Sequence, residues 1–518
     1  MSCGVRRWLS PLRDNTMTVR WHETPLLDPG MFYDYERAIL AQASTGDVAL
    51  GFARLGPCAL VGAFDDPDRS LRRSFVDGHL PIVRRRTGGG SLYVDQGTTL
   101  MVAAIPQALV AQHTLTAIIA LVGEVIAEAL RSQGIPATFT APNDITDDGR
   151  KRGSVFAVRC GEEILIEAAL LFAVDIDSLM KTIKLPLEKL SAAGLLAAAQ
   201  RFAPIGGREP SAVAARTYPA IAAAVATRLT MGVAVQTPPA VRIEPPPPGR
   251  TGLIPDVSAF LKTQGGVLYL DLQLDGENVR AARIIGGVQC AGATDLERLA
   301  DAMTGVRLDD LEAAALAAAP RDTLGFDHRD LGYLARLCVE RQLLGERLGI
   351  PGGAERVTLY SPRRDQGFAD LLADVGALLL PYCAKPAWCK WRHRDGCPEC
   401  GQCAVGEAYR LGRERDLPVT TITRYEHLHM ALAQLRATGI RTFLGVCCTE
   451  FFLKRDYAFI EAGLGAIFID IGGDTCYALR AEESAYRGEF TAEATLDSQL
   501  LDQVLRLSDT HYPSIQNE

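Results

Sequence analysis

Two groups of residues in this sequence have types and spacings that imply chemistry. The first is the run at residues 83–97, VRRRTGGGSLYVDQG, in which Arg84, Arg85 and Arg86 precede Gly88, Gly89 and Gly90. Glycines without a Cβ let backbone N–H groups approach a phosphate or carboxylate closely, and arginines add charge and forked donors. No Gly-Lys-Ser/Thr follows, so the run is not a P-loop. Residues 91–94 alternate like a strand that turns at Asp95-Gln96-Gly97 into a second strand at 98–105, which puts the expected anion site between strands. The second group is a cluster of thiols. Of thirteen cysteines, Cys3, Cys58, Cys160, Cys290 and Cys338 are scattered, whereas eight fall between Cys383 and Cys476. Five of these lie in PYCAKPAWCKWRHRDGCPECGQC, where Cys397, Cys400 and Cys403 form C-x2-C-x2-C, a spacing that suits iron–sulfur ligation and also contains a zinc-knuckle-like C-P-E-C-G.

The chain that must position these groups has 518 residues, a formal net charge of -8, 48% hydrophobic and 22% charged residues. That length implies two or three domains. The charge leaves no electrostatic footprint for nucleic acid, so the local arginines read as ligands for a small anion. No apolar run is long enough to span a membrane, and residues 1–16 are basic without the apolar core of a secretory signal, so a cytoplasmic location is expected and Met17 is a candidate start. Without export, clustered thiols point to metal rather than to a disulfide framework.

In order, residues 31–42 have helical spacing, and 48–54 followed by 58–64 read as strands broken at Gly56-Pro57. Residues 115–133 form the longest amphipathic helical pattern of the first half, ending near Gly134-Ile135-Pro136. Then come Thr138-Phe139-Thr140-Ala141-Pro142-Asn143-Asp144-Ile145, a polar turn at 146–149, and Arg150-Lys151-Arg152-Gly153-Ser154, flanked by expected strands at 155–159 and 164–172. The string R-R-x-G-G-G-S-φ-Y-x-D-x-G, together with Asn143-Asp144-Ile145 and the following Lys151, resembles the lipoate–protein ligase A family, within the group that also holds biotin ligases and octanoyl transferases. This chain departs from the pattern at Val94, where the signature has histidine, at Ala63, where many relatives carry arginine, and at Lys151 to Gly153, one residue shorter than common. The closing strand at 166–177, with Asp175, and a helical segment at 184–190 continue the likeness.

The resemblance implies an ATP-dependent, adenylate-forming ligase: lipoate attacks the α-phosphate of ATP, pyrophosphate leaves, and a lysine of an acceptor lipoyl domain takes the lipoyl group. It implies Lys151 as the catalytic cation, because a mobile ammonium reaches both the acid's oxygen and the α-phosphate as charge redistributes. Arg85, Arg86, Gly88, Gly89, Gly90, Tyr93, Asp95, Asn143 and Asp144 are then expected to bind substrate and ATP with its Mg2+. The alternative within enzymes is an octanoyl or lipoyl transferase working through a cysteine. Relatives of that type carry C-F-x-A-P where this chain has Thr138 to Pro142, and Cys160 is the nearest thiol. From another class, the chain would be a metal-cluster redox or sensor protein with a lipoyl-binding module.

Beyond Gly207 the sequence is alanine-rich and helical to about 231, then stiffened by Pro238-Pro239 and 245–248. Residues 251–316 read as a small α/β unit with strands at 267–274 and 278–286 and a helix at 294–303, which resembles the accessory domain of bipartite lipoate ligases. The last third opens with a helix at 331–348 and resembles an uncharacterised cysteine-rich domain family, with short strands at 442–446 and 466–471 that end near Cys447-Cys448 and Cys476. The overall expectation is α/β in three parts: a ligase-like domain with a mixed sheet at 17–237, an accessory-like domain at 251–325, and a cysteine-rich domain at 326–518. In the last, Cys383, Cys389, Cys397, Cys400, Cys403, Cys447 and Cys448 are the expected ligands of an iron–sulfur cluster or Zn2+. His393, His427 and His429 read as surface histidines.

Overall fold

The computed structural model describes residues 17–43, 46–184, 200–241, 253–350, 353–364, 366–477, 479 and 481–509. Residues 1–16, the prolines at 245–248 and the helical expectation at 185–190 lie outside them. The described residues form a mixed α/β protein, as the sequence implied.

The largest sheet has eight strands in the order Gly232–Val235, Thr18–Glu23, Val48–Arg54, Thr98–Pro106, Glu163–Leu171, Arg150–Cys160, Asp144–Asp147 and Thr138–Thr140. Its central strands are buried on both faces, so they read as near-continuous apolar runs. Alternation still divides them. Leu50, Phe52, Met101 and Ala103 face helices Leu115–Ser132 and Pro210–Leu229, while Ala49, Ala53, Leu100 and Val102 face helix Phe32–Ala43. Helix Leu115–Ser132 starts where Thr114 accepts a hydrogen bond from the Ala117 N–H at 3.3 Å, an N-cap, and its turn to the next strand uses Gly134 at φ +75°.

The expected turn between residues 91–94 and 98–105 is present, but it joins two sheets rather than a hairpin. Strand Leu92–Val94 pairs with Cys58–Val61 in a small three-stranded sheet with Ile82–Arg84, whereas Thr98–Pro106 pairs with Val48–Arg54 and Glu163–Leu171. The glycine run therefore hangs from the small sheet, beside the large one.

A three-stranded antiparallel sheet, Val257–Thr263, Gly266–Asp275 and Asn278–Gly286, carries helices Asp295–Met303 and His328–Leu348. The latter helix serves two cores: Leu331 to Val339 pack on this sheet, and Leu344 and Leu348 on the C-terminal one. There, five strands run in the order Val357–Tyr360, Gly465–Ile469, Thr442–Val446, Val375–Pro381 and Val419–Ile422, all parallel except the first. Among the described residues no helix is long and apolar enough to cross a membrane.

Candidate functional site

The glycine run is shaped by arginine. Strand alternation buries Val83 and Arg85 and exposes Arg84 between them. Arg85 is 1% exposed; its guanidinium donates to the carbonyls of Gly88 at 2.8 Å and Gly90 at 2.9 Å and to Thr87 Oγ1 at 3.1 Å, and it stacks on the Phe156 ring. Arg84 donates to the carbonyls of Gly62, Ala63 and Asp65. These donors hold the loop, which differs from the direct anion contact expected of Arg85. Arg86 is less enclosed: its N–H donates to Glu36 and its guanidinium lies 3.8 Å from the centre of the Tyr33 ring.

Close approach explains two of the three glycines. A Cβ on Gly88 would stand 2.4 Å from the Val288 carbonyl oxygen, and one on Gly89, at φ +93°, would stand 2.8 Å from the Phe156 ring. The Gly89 N–H donates to the same Val288 carbonyl at 2.7 Å, so that amide is engaged by the protein. Around Gly90 the space is open: a Cβ there would meet nothing within 4 Å. The segment at 286–292 thus closes one side of the loop. It is zipped to the ligase-like part by Gly286 N–H to Phe64 O at 2.8 Å, Ala157 N–H to Gln289 Oε1 at 3.2 Å, and Arg159 N–H to Ala291 O at 2.7 Å.

Lys151 lies at the start of strand Arg150–Cys160, in the hairpin with Asp144–Asp147. Its Nζ stands 2.8 Å from Asp144 Oδ1, with each side chain 34% exposed, so two residues singled out by motif are brought together. Asp144 also accepts from Ser154 Oγ, and the Lys151 N–H donates to the Arg201 carbonyl at 2.7 Å. Asn143 turns its amide to the Val155 carbonyl at 3.1 Å, fixing the hairpin. Asp95 accepts from the Gly97 N–H at 2.8 Å; burial raises its carboxyl against that bond, and burial likewise raises the phenol of Tyr93, which also hydrogen-bonds Ser178. Asp175 ends the closing-strand region as the N-cap of helix Ile176–Thr182. Cys160 ends its strand with a thiol that burial pushes up, the opposite of what an acyl-accepting nucleophile needs.

Several residues around the loop escaped sequence reasoning. Glu36 is fully buried under Arg86, and burial together with the facing Glu167 pushes its carboxyl well above the usual range. Its helical position, one residue after buried Tyr35 and three before buried Ile39, was the available signal. Ser91 donates to Asp65 Oδ2 at 2.8 Å and contacts Ser70 Oγ, tying the end of the glycine run to residues 65–70. Gln289 had no local signal, because its partner is 132 residues away in sequence.

The thiols separate into two places. Cys389, Cys397, Cys400 and Cys403 lie in the loop at 386–403, with Cys400 exposed, while Cys383, Cys447, Cys448 and Cys476 line one cavity at the ends of the C-terminal strands. Among the described residues, no three His, Cys, Asp or Glu side chains stand close enough to grip one metal ion, so the expected single set of Cys383, Cys389, Cys397, Cys400, Cys403, Cys447 and Cys448 is not assembled. The reason is visible in the loop. Buried Lys385 donates to the carbonyls of Trp391 at 3.0 Å and of Arg394 and Gly396 at 2.8 Å, so the chain's own ammonium holds the backbone of the loop together.

Residues 28–201 match the family model described as the lipoyl protein ligase A/B catalytic domain. Lipoate–protein ligase 1 of Staphylococcus aureus is 23% identical over 181 residues, which cover 35% of this chain and 54% of that protein. The chain thus spans about half the length of this curated relative. Among solved structures, an archaeal bipartite lipoate protein ligase from Thermoplasma acidophilum, described with its E2 lipoyl domain, is similar at a TM-score of 0.37 and 20% identity, covering 43% of this chain and 87% of that one. A lipoate-protein ligase A bound with ATP is similar at 0.36 and 18% identity, covering 43% and 90%. The likeness to the lipoyl protein ligase A/B catalytic domain is thus carried by residues 28–201 of the 518.

Proposed function

We propose that the ligase-like part activates lipoate with ATP and passes the lipoyl group to a lysine of an acceptor lipoyl domain. The observation that carries this reading is the Lys151–Asp144 pair, a half-buried ammonium held by one carboxylate and free to exchange it for a phosphate oxygen. In the reaction, a lipoate oxygen bonds to the α-phosphorus of ATP as the bond to pyrophosphate breaks. Lys151 stabilises the charge that builds on the α-phosphate, and Arg86 offers a second cation beside the loop. Gly90 gives the ligand room on the open side of the run, and Arg85 holds that run in shape from beneath. Mg2+, where it accompanies ATP, would draw on the carboxylates of Asp144 and Asp95. The acceptor's ε-amino nitrogen then attacks the mixed-anhydride carbonyl and AMP leaves.

The division into units at 17–237, 251–325 and 326–518 belongs to the same proposal, with helix His328–Leu348 joining the last two. The test is lipoate-dependent exchange of pyrophosphate into ATP, followed by the mass of a lipoyl domain incubated with the full chain. Exchange and a lipoyl mass increase are expected. Transfer from a lipoyl thioester without ATP would replace the ligase reading with acyl transfer.

A further inference from the structure

The cavity at the ends of the C-terminal strands shares no residue with the ligase site. In the parallel part of that sheet, the chain passes from Val375–Pro381 outward to Val419–Ile422, then crosses to Thr442–Val446 on the other side and on to Gly465–Ile469. The order reverses between Val375–Pro381 and Thr442–Val446. Open α/β sheets bind ligands at such a switch point, in the crevice beyond the carboxyl ends of the strands. The cavity lies there, walled by Leu380, Ile422, Val446 and Ile471, which close or follow these strands, and its volume is about 120 Å³. One side is aromatic: the Tyr486 ring stands 5.4 Å from that of Tyr425 and 6.1 Å from that of Phe451, and the Arg455 guanidinium braces Tyr425 and Tyr486 at 5.1 and 4.7 Å from their centres. Cys383, Cys447, Cys448 and Cys476 also line it. Burial pushes all four thiols up, so they are neutral and join the apolar wall.

Among the described residues that line this cavity, Arg424 is the one with a charged side chain. It is the N-cap residue of helix Tyr425–Ala437, directly after strand Val419–Ile422 and Thr423, and its exposed side chain stands at the mouth rather than in the depth. Its ion pair with Glu426 is long, 4.0 Å between two exposed side chains. Such a pair contributes little, whereas a carboxylate that accepts two N–H groups of one guanidinium is held firmly, so a ligand carboxylate can take the place of Glu426. The neighbouring helix start is already engaged, because the Thr449 N–H donates to Asp470 Oδ1 at 2.9 Å. We propose that the cavity binds a small monocarboxylic acid, with its apolar body among the aromatic rings and thiols and its carboxylate on Arg424. An apolar cavity of roughly 150 Å³ admits benzene, so the body that fits here is one ring or a chain of about six carbons. A dianion would find no second cation in the wall, and an amine would meet the guanidinium with like charge.

The test is calorimetric titration of the full chain with benzoate, hexanoate and benzyl alcohol, with near-ultraviolet circular dichroism as the check on folding. At least one of the two acids is expected to bind wild type, and more tightly than benzyl alcohol. Arg424→Gln should weaken the acid about 10-fold or more, the loss of a charge-assisted hydrogen bond, and leave benzyl alcohol unchanged. Ala485→Leu and Cys447→Leu each place extra carbon in the cavity and should abolish binding while the dichroism stays native; with two positions, failure of one variant to fold leaves the other as the test. Wild type that binds neither acid overturns the proposal, as does acid binding that survives Arg424→Gln or a folded filling variant. Lys151→Ala should bind the acid as wild type does, and a loss there would put the acid in the ligase site instead. No ATP or lipoate is present, so these readouts stand apart from the ligase reading.

Discussion

Lys151 Nζ and Asp144 Oδ1 meet at 2.8 Å across a two-strand hairpin that lies one strand in from the edge of the eight-stranded sheet. Both side chains are one-third exposed, and pairs of this kind contribute about 0–1 kcal/mol. Lys151→Ala is therefore expected to leave stability within about 1 kcal/mol of wild type while lowering lipoate-dependent pyrophosphate exchange about 100-fold or more. Urea unfolding and exchange assays on the same preparation check both halves. Near wild-type exchange would remove Lys151 from the reaction.

Gly62 and Gly90 make a contrasting pair. A Cβ on Gly62 would stand 1.9 Å from the Gly89 carbonyl oxygen, so Gly62→Ala forces the loop apart and should destabilise by about 2–4 kcal/mol. Gly90→Ala meets no protein atom, so it should fold normally and raise the KM for ATP by narrowing the open side of the run. Thermal unfolding together with ATP titration separates the two; equal behaviour would mean the loop does not face the nucleotide.

Arg85 tests the difference between holding a loop and binding an anion. Its buried guanidinium, with Nε 3.7 Å from Glu167 Oε2, satisfies the Gly88 and Gly90 carbonyls. Removing one partner of a buried charged network leaves the rest unpaired, at about 3–5 kcal/mol. Arg85→Gln should thus lower the urea midpoint strongly. A variant of wild-type stability with only a raised KM for ATP would restore the direct-ligand role.

How far the sequence was legible follows from the range of each interaction. Lys151 and Asp144 are seven residues apart, and a hairpin pattern brings them together. The burial of Arg85 was encoded too, by the same alternation that buries Val83, but a cluster of three arginines reads as a set of ligands for a small anion until the pairing of Ile82–Arg84 with Cys58–Val61 is known. Alternation marks a strand without naming its partner, which is why residues 91–94 and 98–105 were expected as one hairpin and fall in two sheets. The closure of the glycine run by Val288 and Gln289 joins segments some 130 to 200 residues apart, beyond any local pattern. For the cysteines, spacing emphasised the C-x2-C-x2-C loop, while sheet topology gathers Cys383, Cys447, Cys448 and Cys476.

Cys160 separates ligase from transferase chemistry. An acyl-enzyme would need its thiolate, but burial holds the thiol up, with Glu167 and Glu163 adding to the effect and Arg86 opposing it. Cys160→Ser should retain lipoylation of the acceptor domain. A covalent acyl adduct at Cys160, seen by mass spectrometry of the wild type, would contradict this.

Glu340 gives the fold a pH dependence away from the ligase site. It lies in helix His328–Leu348, 6% exposed, with Oε1 accepting from the Phe368 N–H at 3.0 Å and Oε2 left without a hydrogen bond. Burial raises its pKa from 4.5 to about 7, against the lowering effect of that N–H and of Arg336. Because the folded carboxyl holds its proton more tightly than the unfolded one, its contribution is fully present below about 4.5 and is lost as pH rises through about 7. The shift corresponds to about 3 kcal/mol, an upper figure for a group whose surroundings relax. Glu340→Gln keeps a neutral side chain of the same shape at every pH, so the variant should unfold like wild type at about pH 4.5 and be more stable by up to about 3 kcal/mol at about pH 8. Urea midpoints across that range decide it; a constant difference between the two proteins would show that Glu340 ionises normally in the folded state.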